Sequence, residues 1–485
     1  MSPSNGPFDL VVRGGTVVLP AGAIRTDVAA RDGVIVAIGD DLPTAGAAQV
    51  IDARGRLVLP GAVDSHFHLG IYRPHAEDTR SETTSALVGG VTSILSYFRT
   101  GSHYLNKTGP YREIFPEVLG LTAGNAFVDY GYHLAIMTAE QLDEVPALVR
   151  EHGIGSFKFY MFYIGLNLAA DSTAASSYTM AESYDLGHLY RLMERVGAVS
   201  RELAPVGRVS LSIHCETADI IRTCVEEERR SGANDLAAWS RARPPFSEAM
   251  AIAQATLLAD RAGCPLNILH ISSAEALEAA ALARAHYPSL DLGLETTLHH
   301  LALTTETAGD THGKVNPPIR GTDDVEAMWV AVRDGRVGTV ASDHAACPDD
   351  LKHEDLWSSQ PGFGGTALMY PVLLSEGLHK RGLPLERIVQ LAAGEPARRF
   401  GLAPRKGAIA PGADADLAIV DPDREVTIAP ELLLSAQPYT PFTGLRVRGW
   451  VSHTVLGGRV VYADGRPVGT PSGRYLRRPV ATAGA

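Results

Sequence analysis

Ala62-Val-Asp-Ser-His66-Phe-His68 is an apolar run that ends in two imidazoles. Read as a β-strand, its period of two sets His66 and His68 on one side. Two imidazoles in an apolar strand lose hydration and need partners, either hydrogen bonds or a metal ion. From about Ala62 to Arg399, similar short runs alternate with Ala/Leu/Arg-rich stretches of helical period, the pattern of repeated βα units. Seven further strands begin near Thr92, Gly131, Ser156, Arg208, Leu266, Leu290 and Gly338. Eight such units predict a (β/α)8 TIM barrel with insertions. The longest insertion, Leu166 to Tyr190, is rich in Ala, Ser and Thr and reads as a loop or short helix over the barrel mouth.

Outside this core the texture changes. Asp9 to Leu19, Gly33 to Gly39, Asp414 to Val420 and Val451 to Tyr462 are β-branched runs closed by turns. The expected organisation is α/β, with residues 1–60 and 405–465 forming a small β-sandwich domain from both chain ends. Residues 61–404 form the barrel and 466–485 a C-terminal tail.

The chain has 485 residues, 43 Lys+Arg against 55 Asp+Glu, and a formal net charge of −12, which disfavours nucleic acid or an anionic membrane as partner. No apolar run is long enough to span a bilayer, and the N-terminus does not read as a signal peptide. Four scattered cysteines make no disulfide framework, so a reduced, cytoplasmic protein is expected.

Polar residues recur at the C-terminal ends of the strands, where barrel sites are assembled. Besides His66 and His68 they are Lys158, His214, His270 and Asp343. Each has a plain alternative: a hydrogen-bonded core histidine, a lysine that snorkels to solvent, or an aspartate that caps a following helix. Taken together, four His and one Asp suit divalent metal, with zinc the usual choice and Mn or Co also compatible. A cationic Lys158 would be repelled there. As a CO2-derived carbamate it becomes an anion able to bridge two metal ions, and such a pair activates water and polarises a carbonyl.

Pro60-Gly-Ala-Val-Asp-Ser-His-Phe-His68, Lys158, His214, His270 and Ser342-Asp343-His344 together resemble the binuclear amidohydrolase superfamily. Within it the chain is similar to the cyclic-amidase branch of dihydropyrimidinases (hydantoinases), allantoinases and dihydroorotases. Ser156-Phe-Lys-Phe-Tyr-Met-Phe-Tyr163, Leu269-His-Ile-Ser-Ser-Ala-Glu-Ala-Leu277 and Ser472-Gly-Arg-Tyr-Leu-Arg-Arg478 carry the hydantoinase likeness. The resemblance implies hydrolysis of a cyclic amide by a bridging hydroxide. His66, His68 and Asp343 would hold the more buried metal, His214 and His270 the more exposed one, with carboxylated Lys158 between them. Asp343 would serve as general base and then general acid, Tyr163 would donate to the oxyanion, and the tail would help assemble a homotetramer. Tyr163 could instead be a core tyrosine beside Tyr160.

The chain also departs from the branch. Dihydroorotases carry an Arg two residues after the second histidine, where this chain has Gly70, yet Lys314-Val-Asn-Pro-Pro-Ile-Arg320 resembles that family more than hydantoinases. Asn316 would offer an amide edge to a ureide or imide. The Asn-containing turn after the last strand is replaced by Ser358-Ser-Gln-Pro-Gly-Phe-Gly-Gly365, leaving Ser358 or Gln360 as substitutes. The expected substrate is a hydantoin, a dihydropyrimidine or a related ureide or imide. An allantoinase or dihydroorotase activity is the alternative, and a non-catalytic scaffold of the same fold the remote one. His299, His300, His312, His344 and His353 read as loop or rim residues.

Overall fold

A computed structural model describes residues 7–101, 103–165, 184–204 and 207–478. Eight parallel strands form one sheet in sequential order: Ala62–Phe67, Val91–Phe98, Asp129–Ala135, Ser156–Tyr160, Ser210–His214, Leu266–Ile268, Leu292–Thr297 and Thr339–Ala341. Every residue of these strands is buried, as expected where helices cover the outside and side chains fill the inside. The eighth strand returns to the first through a Phe67–His344 bridge, with His68 N donating to His344 O at 2.8 Å. Asp64 locks the same seam by accepting from Ser342 N at 3.0 Å and Ser342 Oγ at 2.5 Å.

Three of the long helices begin at residues suited to cap them. Thr138, Asp185 and Ser273 accept from backbone amides in the first turns of Ala139–His152, Leu186–Leu203 and Ala274–His286. Gly153 ends the first of these in the left-handed region, φ 69°. Of the insertion expected over the mouth, residues 166–183 lie outside the described residues, and Tyr190 already belongs to Leu186–Leu203.

The two chain ends share a nine-stranded mixed sheet. Leu57–Pro60, just before the first barrel strand, pairs antiparallel with Leu417–Thr427. Its apolar core joins Leu10, Val28 and Ile51 to Leu417, Ile419 and Val455. Beyond it, residues 474–478 pack on the barrel: Leu476 N donates to Tyr130 O, and buried Arg478 donates to Ser156 Oγ and Phe400 O. Among the described residues no helix is long and apolar enough to cross a membrane.

Candidate metal centre and active site

The first strand delivers His66 and His68 to the C-terminal rim, and both turn Nε2 toward one oxygen of Asp343, at 3.0 and 3.3 Å from Oδ1. Donors about 2.0–2.1 Å from a tetrahedral zinc ion stand about 3.3 Å apart, so these three atoms are spaced as neighbouring ligands would be. Asp343 has φ 52° and His270 φ 35°, both left-handed and both at strand ends of the site. Such backbone strain persists where the surroundings dictate a side chain's direction. No helix follows Asp343 directly, so it caps nothing. The His214 and His270 rings lie 4.3 Å apart, and His270 is 5.3 Å from His66, so the four imidazoles form one chain around the opening.

Lys158 sits among them on the fourth strand. It is 1% exposed, so it does not snorkel, and its Nζ has no hydrogen-bond partner. The rings of Tyr97 and Tyr160 lie 4.2 and 4.7 Å away. Burial pulls its pKa down to about 7, which makes a neutral, nucleophilic amine accessible. A buried lysine with no anion bonded to it, facing three converging ligand atoms, fits conversion to an anionic ligand better than a free ammonium.

Burial also keeps the imidazoles neutral, the form that binds metal. It brings His66 to about 3 and His68 and His214 to about 4, and lowers His270 well below the usual value. Burial alone would raise Asp343, but the neighbouring His66 and His68 hold it below the ordinary carboxylate range.

Three of the candidate ligands are oriented from behind. His66 Nδ1 meets Glu295 Oε1 at 2.7 Å, His68 Nδ1 meets Tyr104 Oη at 2.9 Å, and His214 Nε2 meets Glu216 Oε2 at 2.5 Å. His214 is thereby left with Nδ1 as its ligand atom. Glu216 is itself clamped by Arg243; burial opposes its charge, yet Arg243 and His214 bring its pKa down to about 2. Burial raises Glu295 to about 8, and a divalent cation on the far nitrogen of His66 would favour its charged form.

A cavity of about 200 Å³ opens over these groups. His66, His68, Lys158, His214, His270 and Asp343 all line it, and so do Tyr163, Asn316 and Gln360. Tyr163 follows the fourth strand in the turn Met161–Tyr163 and is half-buried, 5.1 Å from the Tyr160 ring. Asn316 Oδ1 is buried without a protein partner. Of the two substitutes for the missing Asn, Gln360 reaches the cavity, whereas Ser358 is exposed and donates to Asp355 O.

Some residues escaped the sequence reading. Glu295 and Glu216 could have been found, since each is an acid in or beside an apolar strand end, Glu216 two residues from His214. Tyr104 and Arg99 lie at the start of a loop without periodicity, and both line the cavity. The expectation that His299, His300, His312, His344 and His353 are loop or rim residues needs correction at three positions. His299 and His300 are buried on the short helix Leu298–Ala302, and His344 is buried with Nε2 2.8 Å from Glu82. His312 and His353 are the partly or fully exposed ones. A second acidic group, Asp129, Asp414 and Asp416, surrounds Lys406, whose ammonium already occupies the place a cation would take.

The amidohydrolase family model matches residues 259–461. The allantoinase of Rubrobacter xylanophilus is 36% identical over 475 residues, covering 97% of this chain and 98% of that protein. The D-hydantoinase of Geobacillus stearothermophilus is 32% identical over 488 residues, with 96% of each covered. Among solved structures, a D-hydantoinase superposes with TM-score 0.85 at 28% identity, covering 96% of this chain and 98% of that one. The L-hydantoinase (dihydropyrimidinase) from Arthrobacter aurescens gives TM-score 0.85 at 27% identity, over 97% and 100%. A barrel whose strand ends gather four imidazoles, a lysine and an aspartate, matched over its whole length by these enzymes, belongs to the amidohydrolase family.

Proposed function

We propose that this chain is a metal-dependent hydrolase that opens a cyclic amide, with a hydantoin-type ureide ring as substrate. The observation that carries it is the convergence of His66, His68 and Asp343 beside a buried, unpaired Lys158, in the same cavity as Tyr163 and Asn316. His66, His68 and Asp343 would hold one divalent ion, His214 and His270 a second, and Lys158 as a carbamate would bridge them. Zinc best suits this donor set. The bound ions supply Lewis acidity for the scissile carbonyl and lower the pKa of water.

The chain's own residues do the rest. Asp343 accepts the proton of the attacking water on the carboxylate oxygen not turned to the histidines, then delivers it to the departing ring nitrogen. Tyr163 donates its hydroxyl proton in a hydrogen bond to the oxygen that gains charge. The unpartnered Asn316 Oδ1 accepts from a ring N–H, and the Gln360 side of the cavity borders the ring's substituent. Neighbouring tyrosines and Phe162 restrict water around the ring.

A ring that bears no carboxylate is favoured over dihydroorotate. At Gly70, φ +75°, a Cβ would stand 2.6 Å from His75 Nδ1, so no arginine can project from there to hold a carboxylate. Allantoin, a hydantoin bearing a ureido group, is the second reading, favoured by the several allantoinases among the similar proteins. The resemblance of its tail supports a homotetramer, and its few scattered free cysteines a reduced, cytoplasmic setting. Turnover of hydantoin, dihydrouracil, allantoin, dihydroorotate and succinimide by zinc- and manganese-loaded protein, with metal analysis, tests the proposal. Turnover of the ureide rings with two metals per chain is expected. A metal-free protein inert on all five would favour the scaffold.

A further inference from the structure

One wall of the cavity comes from the stretch Leu356 to Gly362, which contributes Gln360, Pro361 and Gly362 to the lining. No strand or helix runs through it. Its carbonyls run to side chains instead: Leu356 O and Ser359 O accept from Lys314 Nζ at 2.7 and 2.6 Å, Gln360 O from Lys352 Nζ at 2.8 Å, and Pro361 O from Tyr72 Oη at 2.6 Å. Gly362 N closes the loop by donating to Lys314 O at 2.8 Å.

Both lysines are inside the protein, 3% and 8% exposed. Beneath Lys314 lies Trp239, its ring centroid 4.2 Å from Nζ, and Trp239 Nε1 donates to Val315 O at 2.9 Å. The same anchor therefore holds Lys314 and the residue next to Asn316. Burial lowers Lys314 to about 7 and Lys352 to about 8. Placing two amines in such a setting is unfavourable unless the carbonyls they satisfy must stay in place.

We propose that Lys314 is a specificity-determining positioning residue which, with Lys352, fixes the Leu356–Gly362 wall against the substituent of the substrate ring. The proposal rests on the cyclic-amide reading above. Lys314 touches no reacting atom. Its effect falls on substrates that reach the wall and spares those that do not.

The test compares Lys314→Met, which keeps the stem and removes the donor, with Lys314→Arg and Lys352→Met in the metal-loaded enzyme. For allantoin, KM should rise about tenfold in Lys314→Met, with KM and kcat for unsubstituted hydantoin and metal content within about twofold of wild type. Lys314→Arg should recover part of the loss. Equal losses on both rings, or none on either, overturn the proposal. Should Lys314→Met fail to fold, Lys352→Met, which frees the Gln360 carbonyl and gives up a 3.5 Å contact with Lys314 O, must show the same selective rise. Wild-type protein inert on every cyclic amide would defeat the functional reading instead. Hydrogen exchange of residues 355–362 then decides the positioning role: faster exchange in either Met variant supports it, and unchanged exchange overturns it.

Discussion

His66 Nδ1 lies 2.7 Å from Glu295 Oε1, a contact between the first and seventh barrel strands made entirely inside the protein. Glu295 is held in turn by Ser65 Oγ at 3.0 Å, so its carboxylate cannot swing away. This fixes the ring and leaves Nε2 pointing at Asp343. Glu295→Gln keeps the shape and weakens the acceptor. Metal affinity should fall about 10–100-fold while the fold stays intact. Metal content after dialysis against a weak chelator, with circular dichroism as control, checks this; wild-type retention would remove Glu295 from the centre.

Lys158 gives a sharper test, because the plain alternative of a snorkelling lysine is excluded by its burial. Lys158→Ala should lose two-metal occupancy and most activity, and added short carboxylates should restore part of both by occupying the vacated place. Metal analysis and turnover with and without acetate or propionate read this out. Full activity of Lys158→Ala without additive would end the carbamate assignment.

These two tests also mark what could be read beforehand. The eight strands were legible because each is a short apolar run between helical stretches, and the candidate ligands because charged or imidazole groups interrupt apolar strands at their ends. Glu295 and Glu216 carry the same signal, yet pairing each with its histidine needs strand adjacency that spacing does not reveal. His299, His300 and His344 were misjudged because nothing local tells a buried turn from an exposed one. The cavity walls were least legible: the loop before Gly362 is placed by long-range bonds from Lys314, Lys352 and Tyr72, and Tyr104 by its contact with His68, none of which leaves a periodic trace.

Gly70 stands where the dihydroorotase resemblance would call for an arginine. Its amide donates to Asp78 Oδ2 at 2.7 Å, and its left-handed backbone leaves no room beside His75. Gly70→Ala should destabilise by about 1–3 kcal/mol, from the positive φ and the clash together. Gly70→Arg should destabilise further without gaining turnover of dihydroorotate. Chemical denaturation and the dihydroorotate assay check both halves, and a stable Gly70→Arg enzyme that opens dihydroorotate would reverse the substrate argument.

Tyr163 tests the chemistry apart from the metal. It lies in the turn directly after the strand that carries Lys158, half-buried and facing the cavity, and touches the Tyr160 and Phe162 rings. Tyr163→Phe keeps those ring contacts and removes only the hydroxyl. If that hydroxyl donates to the developing oxyanion, kcat should fall about 10²–10³-fold, as when one such donor is lost in other hydrolases. KM and metal content should change little, because the bond strengthens only as charge develops. A purely packing tyrosine would give the opposite pattern: near-normal kcat, with any loss confined to thermal stability.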